Sequence, residues 1–183
     1  MRITQDYYLI VDVEATCAND NSIPRQRMEI IEIGAVILNS KTLQLESEYQ
    51  SFIKPILHPL LTEFCKSLTS ISQQDVEVAP LFPDALKEFQ SWFYPFGSYI
   101  FCSWGDYDRN QFKQDCTLHG VGYPFPGGHL NLKKAFSVAT GSKKKFGMTG
   151  ALEKLGIELE GVHHRGIDDA KNIARIVRAI LSS

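Results

Sequence analysis

Residues 7–14 read Tyr-Tyr-Leu-Ile-Val-Asp-Val-Glu, a run of aromatic and β-branched side chains that predicts a strand. Side chains alternate faces along a strand, so Tyr8, Ile10, Asp12 and Glu14 share one side while Leu9, Val11 and Val13 share the other. The first face turns from apolar to acidic. That change comes at the strand's C-terminal end, the edge where open α/β sheets place ligands, and it sets two carboxylates roughly 7 Å apart at Cα. A metal ion fits between them, although an ordinary strand end with its acids in water has the same pattern.

Outward from this strand, Glu29 to Leu38 and Gln44 to Ile53 predict two more, and the polar break Asn39-Ser40-Lys41 predicts the turn joining them in an antiparallel meander. From Pro55 to Ser72, Leu60, Leu61, Phe64 and Leu68 follow Pro59 at helical spacing and predict a helix. Leu86, Phe89 and Phe93 predict another over Pro83 to Phe93, ended by Pro95 and Gly97. A short buried strand is expected at Ser98 to Ser103, then a helix from Asp108 to Leu118 with Phe112 inward, and a Gly/Pro loop at Gly120 to Gly128. Short helices follow at Asn131 to Ala139 and Thr149 to Leu155. Ile167 to Leu181 is the clearest helix, with Ala170, Ile173, Ala174, Val177, Ile180 and Leu181 in one stripe and Lys171, Arg175 and Arg178 facing water. The sum is a mixed α/β layer fold.

With 183 residues, 44% hydrophobic and 22% charged, one domain spanning residues 1–183 is expected, residues 1–6 forming a possible short tail. A net charge of −2 excludes a protein that coats nucleic acid by charge alone, so such contacts must be local. Cys17, Cys65, Cys102 and Cys116 lack C-x-x-C or finger spacing, which argues against structural zinc and for reduced thiols in or near the core. The apolar run Tyr7 to Val11 is too short for a signal-peptide core, and no segment is long enough to span a bilayer. A cytoplasmic protein without a membrane partner is expected.

Three more residues extend the acidic pair. Asp108 follows the buried strand and should lie just beyond its C-terminal edge, although an aspartate there is also a preferred helix cap, and Asp106 competes with it. Asp168 and Asp169 sit in the first turn of the last helix, where the positive end of the dipole favours anions. His164 precedes a glycine and that helix, and an imidazole suits proton acceptance from water near neutral pH; His163 beside it is the competing choice. Paired Mg²⁺ or Mn²⁺ ions about 3.5–4 Å apart serve phosphodiester hydrolysis and need several carboxylates drawn from distant positions. Lys143-Lys144-Lys145, with Lys133 and Lys134 nearby, are placed to contact phosphates upstream of a scissile bond, although charge runs are commonly solvated loops.

These residues resemble the DEDDh group of 3′-to-5′ exonucleases, whose motifs are an Asp-x-Glu strand, a mid-chain Asp and a His-x-x-x-x-Asp near the C-terminus. The chain is most similar to the histone-mRNA and RNA-interference branch, through Val11 to Cys17, Glu29 to Glu32, Leu61 to Thr69 and Gly166 to Arg175. The resemblance implies an RNase H-like fold with a five-stranded mixed sheet flanked by helices. It implies Asp12, Glu14, Asp108 and Asp169 as ligands of two Mg²⁺ (or Mn²⁺) and His164 as general base, selecting Asp108 over Asp106, His164 over His163 and Asp169 over Asp168. It further implies that Ala15 and Thr16 grip the 3′-terminal nucleotide with apolar contacts from Phe64, Leu68 and Tyr107; Tyr107 stands where relatives often carry Trp. An aromatic ring there offers a stacking face to any base. The implied activity is 3′-to-5′ hydrolysis of single-stranded RNA with a free 3′ end, releasing nucleoside 5′-monophosphates. A DNA-directed proofreading or repair exonuclease shares the same site, and a non-catalytic nucleic-acid-binding adaptor would have lost a metal ligand. All the ligand positions are intact.

Overall fold

Strand β1 (Tyr7–Ala15) is the middle strand of a five-stranded mixed sheet, in a computed structural model whose described residues are 3–182. On one side it pairs antiparallel with β2 (Ile30–Asn39), which pairs antiparallel with β3 (Leu45–Phe52). On the other it pairs parallel with β4 (Tyr99–Ser103), and β4 with β5 (His129–Asn131), giving the order β3-β2-β1-β4-β5. The predicted meander is present. Its turn is fixed by Asn39, whose Oδ1 accepts from the N–H groups of Lys41 and Thr42, both at 3.0 Å.

Seven α-helices among the described residues cover the sheet: α1 Glu63–Thr69, α2 Gln73–Glu77, α3 Phe82–Phe93, α4 Tyr107–His119, α5 Leu132–Ala139, α6 Met148–Leu155 and α7 Gly166–Ser182. Strand alternation divides the core in two. Leu9, Val11 and Val13 pack with Phe82, Phe89, Phe93, Phe112 and Phe125, so the α3 and α4 side is a layer of aromatic rings. Tyr8 and Ile10 pack with Phe136, Leu152, Ala170, Ile173 and Val177, an aliphatic layer under α5, α6 and α7. No helix of the described residues is long and apolar enough to cross a membrane.

Three expectations need correction. Helix α1 covers only Glu63–Thr69 of the predicted Pro55 to Ser72, because the preceding backbone is bonded by side chains from elsewhere in the chain. The N–H groups of Ile56, Leu57 and His58 donate to the buried Glu29 carboxylate at 2.6, 2.8 and 2.9 Å, Leu61 N–H donates to Gln73 Oε1 at 2.9 Å, and the first helical turn opens only at the Thr62 cap. Second, residues 3–6 are not a free tail, Met1 and Arg2 lying outside the described residues. Asp6 N–H donates to Ser98 O at 2.9 Å, Ser40 donates to Gln5 O and Asp6 O, and Ile3 packs on the aliphatic layer. Third, α2 and β5 form where the sequence predicts no element. Both are short, and α2 begins at a Ser72/Asp75 capping box.

Candidate active site

The pairing of β1 with β4 runs only from Tyr7↔Tyr99 to Ile10↔Cys102, so beyond Ile10 that edge of β1 is open. The Asp-x-Glu segment lies on this open edge. Asp108, in the first turn of α4, accepts the unpaired Val13 N–H on Oδ1 at 3.1 Å, which draws it against the strand between Asp12 and Glu14. Asp106 faces elsewhere: its carboxylate lies 3.4 Å from Arg109, 3.6 Å from His129 and 3.6 Å from Lys134.

Asp169 arrives from the start of α7. That helix can approach because Gly34 on β2 and Gly166 meet without side chains; a Cβ on Gly34 would stand 1.9 Å from the Gly166 carbonyl carbon. Glu32, buried in β2 opposite Glu14, fastens the same junction by accepting from Gly166 N–H at 3.1 Å and Arg165 Nε at 3.2 Å. The result is a cluster in which carboxylate oxygens of Asp12, Glu14 and Asp169 all lie within 4.8 Å of one another. Both histidines of the pair belong to the same cleft. His163 Nδ1 is 3.0 Å from Asp169 Oδ2; His164, in a left-handed turn at φ 64°, donates its backbone N–H to that oxygen at 3.1 Å and stacks on His163 at 3.9 Å.

The electrostatics follow from crowding acids away from water. Burial first, then repulsion from Asp108, Glu14 and Asp169, holds Asp12 well above the ordinary carboxylate range. Glu14 is pushed up to about 9 by burial and then by Asp169 and Glu32, Asp108 to about 6 by burial, and Asp169 upward by burial. Burial, then His163, lowers His164 below the usual imidazole value, favouring the neutral ring. Such a group of oxygen donors is unfavourable as bare carboxylates and suits a hard divalent cation, so these residues fit the metal site implied by the sequence.

The surrounding cleft, about 450 Å³, is walled by Ala15, Leu68 and Tyr107 among the predicted binding residues. Helix α1 holds its wall in place through Thr62, whose hydroxyl donates to Cys17 O at 2.7 Å and accepts from Cys65 N–H at 3.0 Å. Thr16 does not line the cleft. It is buried, its hydroxyl accepting Glu29 N–H at 3.0 Å, and so it closes the end of the β1–β2 ladder. Phe64, one helical turn before Leu68 and 36% exposed, does not line the cleft. Sequence reasoning missed much of the wall, including Gly147, Met148 and Thr149 before and in α6 and three larger side chains, Trp104, Arg25 and Met28. Trp104 donates Nε1–H to Phe146 O at 3.1 Å, Arg25 covers the Tyr107 ring at 4.0 Å, and Met28 lies beside them. A tryptophan directly after the buried strand Tyr99 to Ser103 was the available signal for the first.

Comparison with known proteins adds to this geometry. Residues 9–177 match the family model described as Exonuclease. Human 3′-5′ exoribonuclease 1 is 36% identical over 96% of this chain, and human ERI1 exoribonuclease 2 is 32% identical over 92%. The chain spans about half the length of the first (52%) and 27% of the second. Among solved structures, the nuclease domain of 3′hExo, a DEDDh family member bound to rAMP, has a TM-score of 0.91 at 33% identity, over 100% of this chain and 94% of that one. A 3′-exonuclease recognising a histone mRNA stem-loop has a TM-score of 0.91 at 34% identity, over 98% of this chain and 65% of that one.

Proposed function

Since the chain belongs to the exonuclease family, of the DEDDh 3′-5′ type, we propose that it is a metal-dependent 3′-to-5′ exoribonuclease that shortens single-stranded RNA and releases nucleoside 5′-monophosphates. The observation that carries this reading is the meeting of Asp12, Glu14 and Asp169 oxygens within 4.8 Å, with Asp108 docked on the intervening Val13 N–H. In this reading Asp12, Glu14 and Asp169 hold one ion, and Asp12 with Asp108 holds a second. When bound, two Mg²⁺ or Mn²⁺ ions act as Lewis acids that stabilise the charge developing on the attacking and leaving oxygens.

The protein's own groups do the rest. Ala15 and the Leu68 and Tyr107 side chains form the pocket for the terminal nucleotide, and Thr16 fixes the backbone that presents Ala15. Stacking on Tyr107 contributes about 1–3 kcal/mol without selecting sequence. His164, biased toward its neutral form, takes a proton from the attacking water, while the bond from phosphorus to the upstream 3′ oxygen breaks. His163 acts as a positioning residue, its Nδ1 orienting the Asp169 carboxylate.

RNA is preferred as substrate because the relatives at 32–36% identity are named exoribonucleases and a neighbour at 33% binds rAMP. Four free thiols fit a reducing compartment, and the cytoplasm is the proposed location. Matched single-stranded RNA and DNA, incubated side by side with and without Mg²⁺, test the reading. Faster metal-dependent loss of RNA is expected; degradation of DNA alone would make this a DNA-directed exonuclease, and binding without degradation an adaptor.

A further inference from the structure

Next to the acidic cleft lies a second cavity, of about 460 Å³, with the opposite charge. Its walls carry Lys133 and Lys134 from α5 and Lys143 and Lys145 from the loop before α6, with Ser137 and the 83%-exposed Val138 between them. The two cavities share their partition. Trp104, Tyr107 and Asp108 face the acidic cleft while Gly105 and Asp106 face the lysines; likewise Gly147, Met148 and Thr149 face the cleft and Lys145 the lysine side. The Trp104 bond to Phe146 O joins these two segments.

The lysines are poorly neutralised. Asp106 is the one acid lining the cavity, and it is shared among Arg109, His129 and Lys134. Lys133, Lys143 and Lys145 have no carboxylate partner among the described residues, whereas Lys144 lies over the Phe146 ring at 5.1 Å and lines neither cavity. Without metal, a chain of net charge −2 whose cleft is built from carboxylates repels a polyanion, and a cationic surface beside the cleft offsets that repulsion. Lysines are compact point charges suited to phosphate oxygens, and the cavity lies within the ~300–1,000 Å³ range of ligand sites.

We propose that this lysine-lined cavity is a subsite for the phosphodiester backbone of a single strand, upstream of the nucleotide held in the acidic cleft. The inference rests on the exonuclease reading of that cleft. Lys133, Lys143 and Lys145 hold consecutive phosphates as point charges, and Val138 offers an apolar surface to the sugar. The subsite attracts the strand and keeps it seated as its end is consumed, and it reads no sequence.

The test compares the unaltered chain with the triple variant Lys133→Gln, Lys143→Gln, Lys145→Gln, and with a control triple, Lys41→Gln, Lys54→Gln, Lys87→Gln, that removes the same charge from positions lining neither cavity. Binding of a fluorescent 12-nucleotide single strand is measured by anisotropy without divalent metal, across a salt series. Cavity replacement should weaken binding at ~0.1 M salt by about tenfold or more and flatten the log–log salt dependence by ~0.7 for each phosphate that no longer meets a lysine. The control should change it less than about twofold. Under Mg²⁺, hydrolysis of thymidine 5′-(p-nitrophenyl) phosphate, too small to reach the lysines, should be equal in all three proteins, while KM for the 12-mer rises in the cavity variant alone. Equal affinity and salt slope in the two triples would overturn the subsite. Failure of the exonuclease reading shows separately, as no hydrolysis of either substrate by the unaltered chain, and the anisotropy comparison still decides the inference.

Discussion

The two faces of β1 are spent differently. Its odd positions, Leu9, Val11 and Val13, enter an aromatic layer with Phe89 and Phe112 that runs the length of the strand. Its even positions begin in an aliphatic layer, at Tyr8 and Ile10, and end in Asp12 and Glu14 opposite the first turn of α7. One residue of offset separates a contribution to stability from a contribution to chemistry, because a strand reverses its side chains at each step. Substitutions on the two faces should therefore fail in different assays.

The largest separation is expected from Asp12→Asn, which keeps size and removes a carboxylate proposed to be shared by both ions. Turnover of RNA should drop by about 10³-fold or more, roughly 4 kcal/mol in the barrier, while thermal unfolding of the metal-free protein moves little or upward as repulsion within the cluster is relieved. Near-full turnover would remove Asp12 from the site. Phe89→Ala is the converse case. Emptying a ring that packs on Trp92, Phe93, Phe112 and Phe125 should cost about 3–5 kcal/mol in denaturant unfolding, with turnover per folded molecule nearly unchanged.

Gly34→Ala links the two behaviours. The added methyl group meets the Gly166 backbone, so the start of α7 must shift; a loss of about 1–3 kcal/mol in stability should accompany a fall in turnover, since Asp169 moves with the helix. A variant that loses stability alone would show that Asp169 does not depend on this junction. The smallest effect is a matter of pH. Carboxyls raised by folding bind more protons in the folded than in the unfolded protein, so their stabilisation is present in acid and is lost between the ordinary carboxylate range and the folded values, about 6 for Asp108 and about 9 for Glu14. Metal-free stability should decline across that range. Added Mg²⁺ needs the ionised groups, so its effect on Tm should be slight near pH 5 and should grow toward pH 8, reaching ~5–10 °C at about 100-fold over Kd. A shift independent of pH would argue against carboxylate ligation.

What was legible in the chain followed local rules. The period-2 alternation of residues 7–14, the Asn39 turn and the stripe of α7 each depend on neighbours a few residues away, and the structure has all three. Legibility failed where a distant partner decided the matter. Helical spacing before Thr62 lost to side chains elsewhere, the Glu29 carboxylate on Ile56 to His58 across 27–29 residues and Gln73 on the Leu61 N–H across 12. The meeting of Gly34 with Gly166, and Glu32 beneath it, join positions more than 130 residues apart, and no period announces such a meeting. Glu32 left a trace as a lone charge within Ile30-Ile31-Glu32-Ile33. The choice of Asp108 over Asp106 needed the family resemblance; the geometry supplies a separate reason, since Val13 N–H draws the one inward and the basic side chains of Arg109, His129 and Lys134 hold the other outward.

The most direct measurement is the fate of a 5′-labelled single-stranded RNA incubated first in chelator and then with Mg²⁺. Stepwise shortening from the 3′ end, with nucleoside 5′-monophosphates as product, should begin only when metal is added, and should be absent in Asp12→Asn. Shortening in chelator, internal cleavage, or an undiminished ladder from Asp12→Asn would contradict a metal-dependent 3′-to-5′ exonuclease built on this acidic cluster.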